Sequence, residues 1–470
     1  MPQMESTPPV RPGLTLSVVC IGFAMVIVDT TIVNVALPAI ENDLGSSLAM
    51  LQWVVDGYVL VLASLLLSGG ALVDRLGSAR MFRCGVALFT IASALCGLAP
   101  SGVVLVATRL LQGVAAALLM PAAMALIAEA YPEPKAKAKA VALFTTVAGS
   151  PQAFGPVLGG ALVSTIGWRS IFFLNVPIGA VTMVLALRPG IPSSTTNHGH
   201  RADLPGQILT VVVMVAATGA LIEAGAQGWS APFPLAAFAV AIVSGIGLCI
   251  RERGAPAPML PARLLTAPGL SAFVAIGLLL FAAYYGLVFT LSLYLQQVEH
   301  LGPFSAGLRF LPSALPIFVL PVFVGRLTAR WGARTIACGG LLAAAGGAAA
   351  LLAVHQHAGP LTLSIALALL GCGVGLTVGP QISLVIGAAP TDQTGIASGL
   401  LNAGRQAGSV LGVAVLGSLA GSGDRVTGIH TAAVAAVALL LVAAVAAAPR
   451  RATSRPTLTT HPDLSRARQS

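Results

Sequence analysis

The chain has 470 residues, of which 56% are hydrophobic and only 9% charged, against roughly 25% charged in ordinary soluble domains. A mean hydropathy of +0.91 excludes a water-soluble globule, and the continuous apolar runs lack the alternation of a transmembrane β-barrel. The formal charge of +10 forms no nucleic-acid patch, because the basic residues sit in short loops without interleaved aromatics. What remains is an all-α membrane protein surrounded by lipid, with no nucleic-acid partner.

A helix needs about 20 apolar residues to cross the hydrocarbon. The sequence offers fourteen such runs, near 14–38, 51–73, 81–99, 102–128, 140–163, 169–188, 205–225, 232–250, 270–295, 304–325, 332–354, 360–384, 395–419 and 428–448. The first, from Leu14 to Leu37, is longer than a signal-peptide core and reads as a retained helix. Twenty of the 25 lysines and arginines fall on one side if the N-terminus is cytoplasmic, and three (Arg169, Arg309, Arg425) fall on the other. By the positive-inside rule both termini are expected in the cytoplasm. Gly70-Ala-Leu-Val-Asp74-Arg75-Leu-Gly77 recurs as Gly325-Arg-Leu-Thr-Ala-Arg330-Trp-Gly332, each after an even-numbered span. This repeat predicts two six-helix bundles, 14–188 and 270–448. Two further helices are inserted within 189–269, and cytoplasmic tails lie at 1–13 and 449–470. Parallel repeats about a midplane site are a transporter architecture.

Enzyme chemistry finds no support: there is no Walker A lysine, no Gly-x-Ser-x-Gly and no His-Glu-x-x-His. The six cysteines lie in apolar runs without metal spacing and read as buried free thiols. The histidine pairs His198/His200 and His355/His357 read as solvated loops, so neither a metal nor a cofactor is expected. An ion gradient is then the natural driving force.

Ionisable groups inside spans are the sharpest signal, since each costs roughly 2.5–3.5 kcal/mol at the bilayer centre. Asp29 in the first helix, Asp56 in the second and Arg109 in the fourth lie roughly 8–14 Å below the outer edge at 1.5 Å per residue. They are expected to face a central cavity, where an acid beside an arginine can exchange protons and attract a cationic substrate. A structural ion pair is the alternative. Glu129 and Glu223, near helix ends, read as interfacial. In the Gly70–Arg80 turn, Gly70 and Gly77 permit tight backbone geometry and Asp74, flanked by Arg75 and Arg80, can bridge to a basic loop, a gating latch between the halves that would hold one conformation and break in the other. An ordinary turn with topology-setting arginines is the alternative. Tyr284, Tyr285, Phe289 and Tyr294 read either as a drug-pocket lining or as a core stripe. Gly404, Gly408 and Gly412 read as a helix-packing face.

Several motifs together resemble the major facilitator superfamily, specifically its fourteen-helix drug:proton antiporters. They are Asp29-Thr-Thr-Ile-Val-Asn34-Val-Ala-Leu-Pro38, the Gly70–Arg80 loop, Arg109-Leu-Leu-Gln112-Gly113, Gly155-Pro156-x-x-Gly159-Gly160, Trp168-Arg169-Ser-Ile-Phe-Phe-Leu-Asn175-Val-Pro177 and Asn402-x-x-Arg405-Gln406-x-Gly408. The chain is similar to bacterial antibiotic-resistance exporters of the methylenomycin-resistance type. Pro151, where this pattern carries glycine, and Ser78-Ala79, where it carries basic residues, depart from it. The resemblance implies proton-driven efflux of amphipathic small molecules by alternating access, in a monomer of the bacterial plasma membrane. It also implies coupling through Arg109, a gating role for Gly155, Pro156, Gly159 and Gly160, and a cavity bordered by Asn34, Gln112, Asn402, Arg405 and Gln406. Export of one specific metabolite is the competing reading, and a non-transporting sensor a more distant one.

Overall fold

A computed structural model describes residues 10–192, 204–254, 267–354, 360–390, 394–421 and 425–448. Both histidine pairs, Arg201, Arg263 and the arginines of the C-terminal tail lie outside the described residues.

The described residues form helices throughout and no strand. The first group is α1 (Pro12–Leu44), α2 (Leu48–Leu76), α3 (Ser78–Gly97), α4 (Gly102–Ala130), α5 (Pro134–Thr165), α6 (Ser170–Phe173) and α7 (Asn175–Ala186). Then come α8 (Leu204–Gln227) and α9 (Pro232–Gly254). The last group is α10 (Leu270–Gln297), α11 (Pro303–Arg309), α12 (Leu311–Trp331), α13 (Ala333–Ala350), α14 (Pro360–Ala388), α15 (Thr394–Gly421) and α16 (Arg425–Ala447). Eleven of these are long and apolar enough to cross a membrane by themselves. The other expected spans fall within α5, α6 with α7, and α15. The arrangement is therefore compatible with fourteen crossings.

Local chemistry sets the ends. Ser47 Oγ accepts from the Met50 amide at 3.3 Å and Ser101 Oγ from the Val104 amide at 3.4 Å, so each caps its helix. The segment expected as a loop from Gly70 is still helical to Leu76. The break falls on Gly77 alone, at φ 90° and ψ 142°. Gly332, its counterpart in the repeat, breaks α12 from α13 at φ 82° and ψ 148°. Positive φ is strained for other L residues, so both halves of the repeat need glycine there. Gly69, not Gly70, is the close approach: a Cβ on it would sit 2.0 Å from the Ala117 carbonyl oxygen, whereas one on Gly70 meets nothing nearer than Pro121 at 4.0 Å. That carbonyl is free because Pro121, four residues on, has no N–H to give it.

Packing gathers into two large cores. One is built from residues of α10 to α16, the other chiefly from α1 to α7. A third cluster spans them, with Ile32, Leu37 and Leu51 against Phe289, Leu293 and Val413. Helix α8 packs against both α2 and α15, and α9 packs on α8 with Phe233, Ile242, Val243 and Ile250 exposed, as lipid-facing side chains would be. Of the cysteines, Cys20 and Cys96 are buried as expected. Cys84 and Cys249 are instead exposed on helix surfaces, and all six are free thiols.

The two groups join toward the end of the bundle that carries Asp43. Gln296 Nε2 donates to the Val35 carbonyl at 3.0 Å, and Gln297 donates to the Glu41 carboxylate. Gln52 Nε2 donates to the Val413 and Ala414 carbonyls at 3.1 and 3.3 Å. At the same end Asp43 accepts from Trp168 Nε1 at 2.9 Å and pairs with Arg169, which reaches on to the Ala99 carbonyl. At the opposite end Asp74, Arg75 and Arg80 are exposed, and no hydrogen bond joins Asp74 to another described residue. A test of the joined end is direct: Glu41→Cys with Gln297→Cys, in a cysteine-free background, should crosslink through a short reducible methanethiosulfonate linker. Transport should stop when linked and return on reduction. Unimpeded transport by the linked protein would mean that this end never parts.

Candidate functional site

The chemistry centres on a polar cluster in the first group of helices. Helix α1 runs on through Pro38 to Leu44, so Asp29 stands near its middle and not in its outer half as expected. Arg109 projects from α4 and its Nη1 donates to Asp29 Oδ2, forming a salt bridge. The guanidinium also donates from Nη1 to Gln112 Oε1 at 2.9 Å and from Nε to the Val54 carbonyl at 3.0 Å. It lies 4.4 Å over the Tyr58 ring. The second carboxylate oxygen, Asp29 Oδ1, accepts from Asn175 Nδ2 at 2.9 Å and Gln112 Nε2 at 3.2 Å. Both amides also donate to Ser93 Oγ, at 3.3 and 2.7 Å. Five helices thus converge on one ion pair.

The expected vestibule between these charges is absent. Asp29 is 0% and Arg109 1% exposed, and they touch. A buried pair of this kind survives because the remaining lone pairs and donors are satisfied. Two atoms of the cluster are not: Asn175 Oδ1 and the Tyr58 hydroxyl are buried without a partner. Asp56, expected to join the cluster, stays apart from it. Both its oxygens are buried and have no hydrogen-bond partner. The sequence missed Asn175, Ser93 and Tyr58. Asn175 carried a signal, a lone amide within an apolar run just before Pro177, where α6 gives way to α7. Ser93 and Tyr58 carried none.

The motif ending in Pro38 has a physical reading. Proline lacks an N–H, so the Asn34 carbonyl four residues earlier has no helical donor. Ser292 Oγ of α10 donates to that carbonyl at 2.5 Å, across the junction of the two groups. The Gly155–Gly160 stretch is helical without interruption and works on two faces. A Cβ on Gly155 would sit 2.0 Å from Thr31 Oγ1, and one on Gly159 2.5 Å from Ile32, so these glycines let α5 lie against α1. A Cβ on Gly160 would sit 2.4 Å from the Pro303 carbonyl, and one on Gly307 2.2 Å from the Pro156 carbonyl, so this pair brings α5 against α11 of the other group. Gly408 and Gly412 likewise bring α15 onto the Leu278 and Ala282 carbonyls of α10, the packing role expected of them.

The other expected cavity residues divide. Asn34 lines a narrow crevice between the groups together with Thr31, Tyr284, Tyr285, Phe310 and Ser313. Phe289 and Tyr294 belong to the cores, so the aromatic stripe of α10 serves both purposes. Arg405 turns into its own group, donating to Gln381 Oε1 from Nη2 at 2.7 Å and to the Val378 carbonyl at 3.1 Å. Asn402 is exposed and Gln406 half-buried. Ser78 Oγ donates to Glu129 at 2.9 Å, tying the start of α3 to the end of α4. Among the described residues no cluster of His, Cys, Asp or Glu could hold a metal.

The profile of the Major Facilitator Superfamily matches residues 19–413. The chain belongs to this superfamily. It is 37% identical over 403 residues to the methylenomycin A resistance protein of Bacillus subtilis, covering 86% of each chain. It is 34% identical over 405 residues to the protein of the same name in Streptomyces coelicolor, covering 86% of this chain and 85% of that one. The tetracenomycin C resistance and export protein of Streptomyces glaucescens is 34% identical over 416 residues, with 88% and 76% covered. Among solved structures, the peptide transporter POT in complex with sulfate superimposes with a TM-score of 0.70 at 16% identity, over 94% of this chain and 96% of that one. That likeness bears on the fold. As a member of the superfamily the chain is a multi-pass membrane transporter and not an enzyme.

Proposed function

We propose that the protein exports amphipathic small molecules, antibiotics among them, in exchange for protons entering a bacterial cell, and works as a monomer with both termini cytoplasmic. The observation that carries the coupling is the sealed Asp29–Arg109 pair with the orphaned Asn175 carbonyl beside it. An ionised Asp29 holds Arg109. A protonated Asp29 has a proton to give, and Asn175 Oδ1, brought round by rotation of the amide, can accept it. Proton binding would then exchange a charged contact to α4 for a neutral one to α7 and free α1 to shift. Helix α1 also carries the Asn34 carbonyl that Ser292 takes, so a shift there loosens the junction of the two halves.

The charge distribution takes the Asp43 end as outer, so the described state is closed outside, and the exposed Asp74, Arg75 and Arg80 fit a cytoplasmic latch that is undone. The inward-facing form takes up cargo, protons leave Asp29, and the return to it follows proton entry from outside. Asp56, buried and unpartnered on α2, is a second candidate for carrying a proton. Relatives named for a single antibiotic favour a narrow exporter as the second reading, whereas the relative named multidrug resistance protein Stp, of Mycobacterium tuberculosis, favours a broad one.

Asp29→Asn is the test. Efflux driven by a pH gradient in everted vesicles should vanish, while insertion and folding remain, because asparagine keeps the shape and the neutral contacts. Undiminished efflux by that variant would remove Asp29 from the mechanism. A compound panel in a pump-deficient host separates the broad exporter from the narrow one.

A further inference from the structure

We propose that the cargo is an uncharged amphipathic ring compound, held in the crevice between Tyr284, Tyr285 and Phe310 on one side and Asn34 on the other, and that lipophilic cations are rejected. This rests on the transporter reading above and names the substrate class for it.

The argument follows every charge inside the spans. Among the described residues four charged side chains are buried there: Asp29, Asp56, Arg109 and Arg405. Thr31, which lines the crevice, stands two residues beyond Asp29 on α1, a turn of roughly 200° at 3.6 residues per turn. The body of α1 therefore separates the crevice from the carboxylate, which Arg109 already neutralises. Arg405 is engaged with Gln381 and the Val378 carbonyl inside its own half. Asp56 is 1% exposed, lies one turn along α2 from Gln52, and is not a lining residue. No charged side chain among the described residues lines the crevice. The expectation that Asp29 attracts a cationic substrate is thus met by a wall of helix.

A cation placed in such a crevice loses water and gains no counter-charge. Ring faces return only part of that penalty. Here the rings are also occupied with one another: Tyr284 stands edge-on to Tyr285 with centroids 5.3 Å apart at 87°, and Tyr285 leans on Phe281 at 5.7 Å. An uncharged planar molecule suffers no such penalty, and it slots against offset aromatic faces. The polar handle suits it too. Asn34 Nδ2 makes only a long bond of 3.4 Å to the Thr30 carbonyl, leaving the amide available to a carbonyl or hydroxyl of the cargo. The hydroxyls of Thr31 and Ser313 are turned back to backbone carbonyls, Thr31 to Val28 at 3.1 Å and Ser313 to Phe310 at 2.9 Å. Recognition is therefore apolar and aromatic, with one amide setting orientation.

The test measures binding without any gradient, in purified protein in nanodiscs with empty discs subtracted. The probes are N-phenyl-1-naphthylamine, which is uncharged, its sulfonated analogue 1-anilinonaphthalene-8-sulfonate, and the tetraphenylphosphonium cation. The uncharged probe should bind, and its affinity should fall about tenfold or more in Tyr285→Ala and in Phe310→Ala. Neither ion should displace it at tenfold higher concentration. Asn34→Asp should reverse the preference, admitting the cation and weakening the neutral probe. Equal binding of the cation to the wild-type protein would overturn the proposal, and loss of that binding in Asp56→Asn would identify Asp56 as its partner. Retention of the uncharged probe by both aromatic variants would overturn it as well. Because no proton gradient is present, a failure of proton coupling leaves this result untouched, and a cation-transporting antiporter would sink this inference while sparing the coupling.

Discussion

Arg109→Gln is expected to lower proton-driven efflux about a hundredfold and also to destabilise the solubilised protein, measured as its melting temperature by fluorescence-detected size exclusion. Removing one member of a buried ion pair leaves the other charge uncompensated, at a cost of about 3–5 kcal/mol. Asp29 would keep the amides of Asn175 and Gln112 but lose its only cation. The bond to the Val54 carbonyl and the cover over the Tyr58 ring would go with it. The double variant Asp29→Asn with Arg109→Gln separates the two effects. Two neutral amides can hydrogen-bond where the charges met, so most of the lost stability should return, whereas efflux should not, since the pair then has no group left to take up a proton. A double variant as unstable as the single one would locate the loss in packing around Tyr58. Wild-type efflux by Arg109→Gln would deny the pair any part in coupling.

The contrast between Asp29 and Asp56 marks how far the chain could be read unaided. Helices and repeat were legible because a membrane imposes length and polarity on every span. The ion pair was legible for the same reason: charged groups in hydrocarbon are too costly to be incidental. Their partners were not. Depth along a helix follows from counting residues, but which face points to which neighbour depends on helix rotation, and an error of two residues reverses it. Asp29 and Thr31 are two residues apart and face opposite sides of α1. Asp56 was grouped with Asp29 by depth alone, and it faces elsewhere. Pro38 was visible from the start, yet the consequence of its missing N–H, a free Asn34 carbonyl for Ser292, needed the second half of the molecule in place. The apolar run ends near residue 38, yet the helix continues past Pro38 to Leu44 because neighbouring helices satisfy the freed carbonyl groups.

Gly160→Ala is expected to shift the transporter toward the form open at the Asp43 end. The described glycines of α5 divide by partner, and among them only this one presses on the other half of the molecule. Gly155 and Gly159 face α1, which moves with α5, so a side chain there strains both conformations alike. Gly160 faces the Pro303 carbonyl and Phe304 Cα, with an added Cβ at 2.4 and 2.7 Å, both backbone atoms that cannot swing aside. Overpacking of this sort costs about 1–3 kcal/mol. Because the contact vanishes when the halves part, the cost falls on the closed form alone and changes the ratio of the two forms by roughly five- to a hundredfold, at 1.4 kcal/mol per tenfold. A thiol introduced as Asn34→Cys in a cysteine-free background should then react about tenfold faster with a membrane-impermeant maleimide, and efflux should fall as the inward-facing form becomes scarce. Gly307→Ala, whose Cβ would sit 2.2 Å from the Pro156 carbonyl, should do the same from the other side. Gly325→Ala, with nothing within 4 Å, is the control that should change neither readout. If efflux falls in Gly160→Ala while the thiol stays as protected as before, the contact between α5 and α11 packs the protein without governing its opening.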